Sequence, residues 1–166
     1  MEKIKKIDTK DKKKFYGYLN LKLTGLICDE EDWLANLSNA SGLIWLLLDN
    51  INWAGFYLYK NGELILGPFQ GKPACTHIQI GNGVCGTAAK KREIQIIGNV
   101  DEFEGHIACD VVSKSEIVIP IVKDDKLIGV LDIDSPVLNR FNEEDGKYLE
   151  KFVETLNKYI NWNDIN

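Results

Sequence analysis

The sequence contains no hydrophobic run long enough to cross a bilayer. The longest uninterrupted apolar stretch is LIWLLL at positions 43–48, whereas a membrane-spanning helix needs about 20 apolar residues. The lysine-rich start, MEKIKKIDTKDKKK, is followed by neither an apolar segment nor a small-residue cleavage site, so it does not resemble a secretory signal. These absences predict a cytoplasmic protein.

Histidine and cysteine are scarce, with two and four residues respectively. Four cysteines in 166 residues do not form the dense disulfide framework of a small secreted domain. Neither a Cys-x-x-Cys nor a His-x3-His pair occurs, so the set Cys75, His77, Cys85, His106 and Cys109 lacks the spacing of a zinc site. We therefore predict neither a bound metal nor a cofactor.

Positive charge is scarce outside the N-terminus. The chain carries 20 basic and 25 acidic side chains, and residues 1–14 hold seven of the lysines against three acids. Residues 15–166 therefore carry 13 basic and 22 acidic groups, a net charge of −9. An acidic body disfavours a nucleic-acid partner. The composition, 45% hydrophobic and 27% charged, is that of a globular protein.

The order of hydrophobic periodicities predicts one α+β domain over residues 1–166. Apolar side chains recur at helical spacing through about residues 9–48, as two helices, and again through about residues 142–160. Between them, residues 51–134 show the two-residue period of strands, with a turn at Asn61-Gly62 and a last hairpin formed by IVIPIV and KLIGVLDID. This order predicts a mainly antiparallel sheet flanked by helices.

The stretch GNGVCG at positions 81–86 matches the G-x-G-x-x-G pattern of dinucleotide-binding proteins. The segment from Thr76 to Ile97 has only 22 residues, however, and a nucleotide-binding βαβ crossover needs about 30. We therefore interpret these glycines as a tight strand-to-helix turn. The start of that helix would favour the thiolate form of Cys85 through the helix dipole.

Three of the cysteines lie beside glycine or in polar loops. They are Cys75 in GKPACT, Cys85 in GNGVCG and Cys109 in GHIACD. A cysteine kept for packing would lie in or at the end of an apolar run, as Cys28 does. Three loop thiols on the same half of a sheet suggest groups that meet and exchange disulfide bonds.

Carboxylates form a second group, at the end of the last hairpin. Asp132 and Asp134 lie on one face of the last strand, about 6.6 Å apart, and Leu131 and Ile133 lie on the other. A three-residue hairpin loop would pair Glu116 with Asp132, whereas a two-residue loop would place these two on opposite faces. Acids gathered on one rim would bind a cation such as an ammonium, or retain a proton that one of them could donate.

Trp53 and Tyr57 share one face of the strand INWAGFYLY. Such a stripe is usually core or ordinary strand surface. Beside a pocket, an indole face would suit a methyl group or a polarised sulfur.

The order of elements, ending in IVIPIVKDDKLIGVLDIDS, resembles that of GAF domains. More narrowly, NWAGFYL, GPFQGKPACTHI, GVCGTAA, the loop through HIACD, and SEIVIPI leading to LDIDSP resemble the free methionine-(R)-sulfoxide reductases. The resemblance covers about Phe15 to Leu156 and includes all three motif cysteines. It implies a GAF-like α+β fold and reduction of free L-methionine-(R)-S-oxide to L-methionine.

The resemblance also implies roles for individual residues. Cys109 would be the nucleophile, which becomes a sulfenic acid. Cys75 would then form a disulfide with it, with Cys85 as an alternative resolving thiol, and thioredoxin would reduce that bond. Glu116 is our candidate proton donor to the sulfoxide oxygen. The implied substrate-binding set is Trp53, Tyr57, Glu116, Asp132 and Asp134.

The alternative to an enzyme is a GAF module that senses a small ligand or a redox state without catalysis, as most GAF domains bind ligands only. Sensory modules usually occur in longer chains with an output domain, which disfavours this alternative for 166 residues. A homodimer is compatible with the predicted fold, but no feature of the sequence requires one.

Overall fold

A six-stranded sheet, antiparallel at every pairing, forms the centre of the molecule. The structure is a computed structural model that describes residues 4–105 and 111–165. In chain order the strands are β1 (Trp53–Lys60), β2 (Glu63–Gly71), β3 (His77–Gln79), β4 (Gln95–Ile97), β5 (Ser115–Lys123) and β6 (Lys126–Ser135). Their order across the sheet is β3-β2-β1-β6-β5-β4, so the first and last hairpins meet where β1 pairs with β6.

Three long helices cover one face of the sheet and a short helix covers the other. In chain order the helices are α1 (Lys12–Ile27), α2 (Trp33–Leu47), α3 (Gly83–Lys91) and α4 (Glu143–Tyr159). Helices α1, α2 and α4 share one apolar core with the sheet, and α3 shares a smaller one on the opposite face. Among the described residues, no helix is both long enough and apolar enough to span a membrane.

The predicted α+β class, with an antiparallel sheet flanked by helices, is confirmed. The helical regions predicted at 9–48 and 142–160 begin slightly later in the structure, because side-chain caps define their starts. Asp11 caps α1, Asp32 caps α2, and Asn142 forms a capping box at α4. Each cap satisfies backbone N–H groups that a helix start leaves without a partner.

Asp145 joins the closing helix to the first helix inside the larger core. Its carboxylate accepts a hydrogen bond from the Tyr16 hydroxyl at 2.8 Å and forms an ion pair with Lys12 Nζ at 2.7 Å. Burial, reinforced by the neighbouring Asp145, raises the pKa of Tyr16 well above its ordinary value, so Tyr16 remains the donor. This contact fixes the two chain ends against the same sheet face.

The last hairpin combines a two-residue turn with a bulge. Asp124 and Asp125 have φ values of 49° and 59°, the left-handed conformation that tight hairpin turns require. The pairing shifts by one residue between Ile121 and Val122, which leaves Ile128 as an extra residue in β6.

This bulge decides where the acids point. The expectation that a two-residue turn places Glu116 and Asp132 on opposite faces is wrong. The extra residue in β6 shifts the alternation of its side chains by one position, which returns Asp132 to the face of Glu116. The alternative, a three-residue loop that pairs Glu116 with Asp132, does not occur, since Glu116 lies opposite Asp134 and Val118 lies opposite Asp132. All three acids consequently line the α3 side of the sheet.

Candidate active site

A cavity lies between α3 and the sheet face opposite the three long helices. Its free space, including open solvent at the mouth, is about 550 Å³. The sheet contributes Trp53, Tyr57, Glu116, Asp132 and Asp134 to its lining. Ile78 of β3 also lines it, and the remaining lining comes from residues 72–74, residues 82–85 and Ser113. The two aromatic residues and three acids singled out in the sequence therefore come together, with Cys85 beside them.

Stacked aromatic rings form one wall of the cavity. The Trp53 ring stacks on Tyr57 at a centroid distance of 5.8 Å and on Phe69 at 5.2 Å. Gly55 makes room for this stack, because a Cβ there would lie 2.8 Å from the Trp53 ring and 2.3 Å from the Phe69 Cβ. An apolar, polarisable wall of this kind suits a methyl group or a sulfur atom.

The same aromatic residues hold the segment that carries Cys75. The indole N–H of Trp53 donates to the Lys72 carbonyl at 3.2 Å, and the Tyr57 hydroxyl donates to the Cys75 carbonyl at 3.0 Å. The Cys75 thiol is half-buried, and its neighbour Ala74 lines the cavity. Cys75 therefore lies at the edge of the cavity.

Glycines allow α3 to begin almost directly after β3. Gly81 and Gly83 have φ values of 93° and 60°, which residues with side chains rarely adopt. A Cβ at Gly86 would lie 2.4 Å from the Gln79 carbonyl oxygen, so the helix approaches the strand backbone closely. This geometry is a tight strand-to-helix turn, and it brings Cys85 against the cavity.

Cys85, Glu116 and Asp132 form a buried cluster in the cavity wall, only 5%, 5% and 6% exposed. The Cys85 S–H donates to Glu116 Oε1 at 3.9 Å. One sulfur or oxygen atom from each residue lies within 4.8 Å of the others. Asp132 Oδ1 is buried and has no hydrogen-bond partner in the part of the chain that the structure describes.

Burial favours the protonated forms of these acids, because the charged carboxylate loses its solvation when it is removed from water. Burial, with Asp132 and Asp134 as further causes, raises the pKa of Glu116 well above its ordinary value. Burial also raises the pKa of Asp132 to about 7, although hydrogen bonds with Cys85 and Glu116 oppose the shift. Near neutral pH the cluster therefore retains a carboxyl proton that a bound molecule could receive.

The expectation that the start of α3 favours the Cys85 thiolate is wrong. Burial, followed by the charges of Asp132 and Glu116, raises the pKa of Cys85 well above its ordinary value. A helix terminus contributes at most about 2 kcal/mol, whereas burial shifts a pKa by several units of about 1.4 kcal/mol each. Cys85 is consequently a protonated thiol in the reduced protein.

Cys109, the predicted nucleophile, lies outside the described residues. The chain approaches the cavity on both sides of that gap. Phe103 packs against the smaller apolar core, and Ser113 lines the cavity. The Asn52 side-chain amide donates to Ser113 Oγ at 2.9 Å, which anchors the returning segment beside the start of β1.

Lys72 and Ser113 are polar residues of the lining that were not identified from the sequence. Lys72 is the one basic residue in the described lining, and Ser113 lies beside the acids. Both lie in loops, so no periodicity marks them. Their closeness in the chain to Cys75 and Glu116 was the available signal.

Comparison with known proteins identifies the family. Residues 39–160 match the GAF domain family. The chain belongs to the GAF domain family. The GAF-like fold predicted from the sequence is thereby confirmed, with its curled antiparallel sheet and flanking helices.

Within the GAF family, this chain is similar to proteins named free methionine-R-sulfoxide reductase. One from Escherichia coli is 49% identical over 150 residues, covering 90% of this chain and 91% of the relative. One from Saccharomyces cerevisiae is 49% identical over 156 residues, covering 89% and 87%. The X-ray structure of the Neisseria meningitidis enzyme in complex with its substrate has a TM-score of 0.89 and 40% identity, with 94% of each chain covered. The predicted resemblance to this group of GAF proteins is confirmed.

Proposed function

We propose that this GAF protein reduces free methionine-R-sulfoxide to methionine with its own thiols. The observation that carries the proposal is the cavity, whose lining combines a stacked aromatic wall, three acids and a thiol. Relatives that carry the name of this enzyme support the choice of substrate. A binding module would not require a proton-bearing acid beside cysteine.

The charges of the lining favour a free amino acid as the substrate. The described lining contains Glu116, Asp132 and Asp134 but only one basic residue, Lys72. The α-ammonium of a free amino acid would neutralise part of this negative charge. Within a peptide the same nitrogen is an uncharged amide, which would leave the buried acids without a cationic partner. The side chain of the substrate would then lie against the Trp53 ring.

The reaction moves one oxygen atom from the substrate sulfur to Cys109. The Cys109 thiolate attacks the sulfoxide sulfur while a carboxyl protonates the oxygen. The oxygen ends on Cys109 as a sulfenic acid, and methionine leaves. We assign the proton to Glu116, because burial and the adjacent acids hold its pKa high. A second thiol then forms a disulfide with release of water, and thioredoxin restores both thiols as its own dithiol becomes oxidised.

We assign the resolving step to Cys75, since a thiol attacks as its thiolate. Burial and two acids keep Cys85 protonated, whereas Cys75 is half-buried at the edge of the cavity. A disulfide at that edge also offers thioredoxin easier access than one at Cys85, which is 5% exposed.

Cys75→Ser is therefore expected to keep the first turnover and to impair recycling. Rapid-quench assays should find about one methionine formed per protein, while steady-state turnover with thioredoxin should fall at least ~10-fold. Cys28→Ser, at the exposed end of α1, serves as the control and should retain both. If Cys85→Ser slows recycling and Cys75→Ser does not, the assignment is reversed.

A substrate panel tests the proposed activity. The four compounds are free methionine-R-sulfoxide, its S epimer, N-acetyl-methionine-R-sulfoxide and a peptide that contains the sulfoxide. We expect turnover of the first alone. Acetylation replaces the charged ammonium by a neutral amide, and it should lower kcat/KM at least ~100-fold because the acids lose their charged partner. Equal rates with the acetylated compound would contradict the role of the acids, and inactivity toward all four would favour the sensory module.

A further inference from the structure

Cys85, Glu116 and Asp132 have the spacing of a metal-binding cluster, although the proposed reaction needs no metal. In a tetrahedral zinc site, bond lengths of about 2.3 Å to sulfur and 2.1 Å to oxygen place the two ligand atoms about 3.6 Å apart. Cys85 Sγ and Glu116 Oε1 are 3.9 Å apart, and all three candidate atoms lie within 4.8 Å of one another. Small side-chain rotations would therefore bring the three atoms around one cation.

A second observation points to a ligand at this position. Asp132 is only 6% exposed, and its Oδ1 atom has no hydrogen-bond donor among the described residues. A buried carboxylate oxygen without a partner costs free energy, and native structures seldom leave one unless a bound species supplies the contact. Because Asp132 lines the cavity, a bound cation could reach this oxygen.

The ligand atoms indicate the kind of cation. Mg²⁺ and Ca²⁺ prefer six or more oxygen ligands, and a thiolate is too soft for them. One thiolate and two carboxylates suit Zn²⁺ and similar ions such as Co²⁺, which accept mixed sulfur and oxygen ligands. Three protein ligands would leave a fourth position open toward the cavity, where water could bind.

We propose that Cys85, Glu116 and Asp132 bind a divalent cation of the zinc class in the reduced protein, and that this cation excludes the amino-acid substrate. Binding exchanges the protons of the cluster for the metal and leaves every oxidation state unchanged. The exclusion rests on the proposed function, because the substrate would use the carboxylate of Asp132 and the proton of Glu116. The binding itself does not depend on that function.

Cobalt titration of the reduced protein, without substrate and without oxygen, tests the binding. Co²⁺ should bind in one equivalent, produce the near-ultraviolet charge-transfer absorption of a cobalt thiolate, and be displaced by Zn²⁺. Cys85→Ser should abolish the absorption, and Asp132→Asn should weaken binding at least ~10-fold. The matched control Cys28→Ser should bind as the wild type does. Absorption that persists in Cys85→Ser, or its absence from the wild type, would overturn the proposal.

Two further measurements separate this proposal from the proposed function. Zn²⁺ should raise the melting temperature of the wild-type protein and not that of Cys85→Ser, a readout that requires no activity. In the reductase assay Zn²⁺ should raise KM for free methionine-R-sulfoxide and leave kcat unchanged at saturating substrate. Binding without this increase in KM would overturn the exclusion of substrate. A protein inactive toward every sulfoxide would contradict the reductase proposal, and the cobalt titration would still decide the metal site.

Discussion

Replacement of Cys109 by serine is expected to abolish reduction of free methionine-R-sulfoxide, with a loss in kcat of at least ~10³-fold. A serine hydroxyl is a far weaker nucleophile than a thiolate at neutral pH. Serine also cannot hold the transferred oxygen as a sulfenic acid, so no disulfide could follow. The aromatic wall and the acids remain in this variant, so substrate affinity should change little.

Chain connectivity and the chemistry of Cys85 together favour Cys109 as the nucleophile. Cys85, which lines the cavity, is held protonated by burial and two acids. Cys109 precedes Ser113 by four residues, and a chain of that length spans at most about 14 Å. Ser113 lines the cavity, so this chain length allows a thiol at position 109 to reach the substrate.

The role of Cys109 is tested by detecting its oxidised product as well as by measuring the rate. In Cys75→Ser, one equivalent of substrate should leave one added oxygen atom on the peptide that contains Cys109, trapped by a sulfenic acid reagent and located by mass spectrometry. The same treatment of Cys109→Ser should leave the protein unmodified. Wild-type turnover in Cys109→Ser would move the nucleophile to another thiol.

Local signals in the sequence were sufficient to predict the elements of the fold. Asn61 and Gly62 adopt φ values of 52° and 91°, as the predicted tight turn between two strands requires. Helical periodicity identified α1, α2 and α4 because each buries one apolar face. The element order then matched that of GAF domains, and the matched family extends over residues 39–160.

The bulge at Ile128 could not be predicted from the sequence. In KLIGVLDID the apolar residues continue on both sides of the bulge, so alternation does not reveal an extra residue. The prediction that Glu116 shares a face with Asp132 required a three-residue loop. The structure reaches the same arrangement with a two-residue turn and a bulge, because packing on both sheet faces selects the register.

The error at Cys85 has a related origin. The start of α3 is visible in the sequence, and its dipole was the local reason to expect a thiolate. Burial is the largest cause of the raised pKa of Cys85, and the charges of Asp132 and Glu116 follow. These two acids belong to strands far along the chain. Only the tertiary structure brings them into contact, so a helix-end argument could not include their charge or the burial they share.

Asp132→Asn is expected to increase stability and abolish most activity. Burial raises the pKa of Asp132 from 3.8 to about 7, so between these pH values the folded protein holds a proton that the unfolded chain has released. The free energy of unfolding therefore decreases as pH rises from about 4 to 7, and the loss persists above that range. Asparagine has the same shape without a charge. The variant should be more stable than the wild type at pH 8 by on the order of 2 kcal/mol, with little difference near pH 4.

Urea unfolding at both pH values and steady-state kinetics would measure the two effects together. The variant should lose at least ~100-fold in kcat/KM, because the substrate ammonium loses a buried carboxylate partner. The exposed acid Glu150 on α4 provides a matched control, and Glu150→Gln should change neither quantity. If Asp132→Asn were less stable than the wild type at pH 8, the carboxylate would be stabilising the fold. Greater stability with lost activity would instead indicate that the buried charge at this position serves ligand binding at the expense of folding.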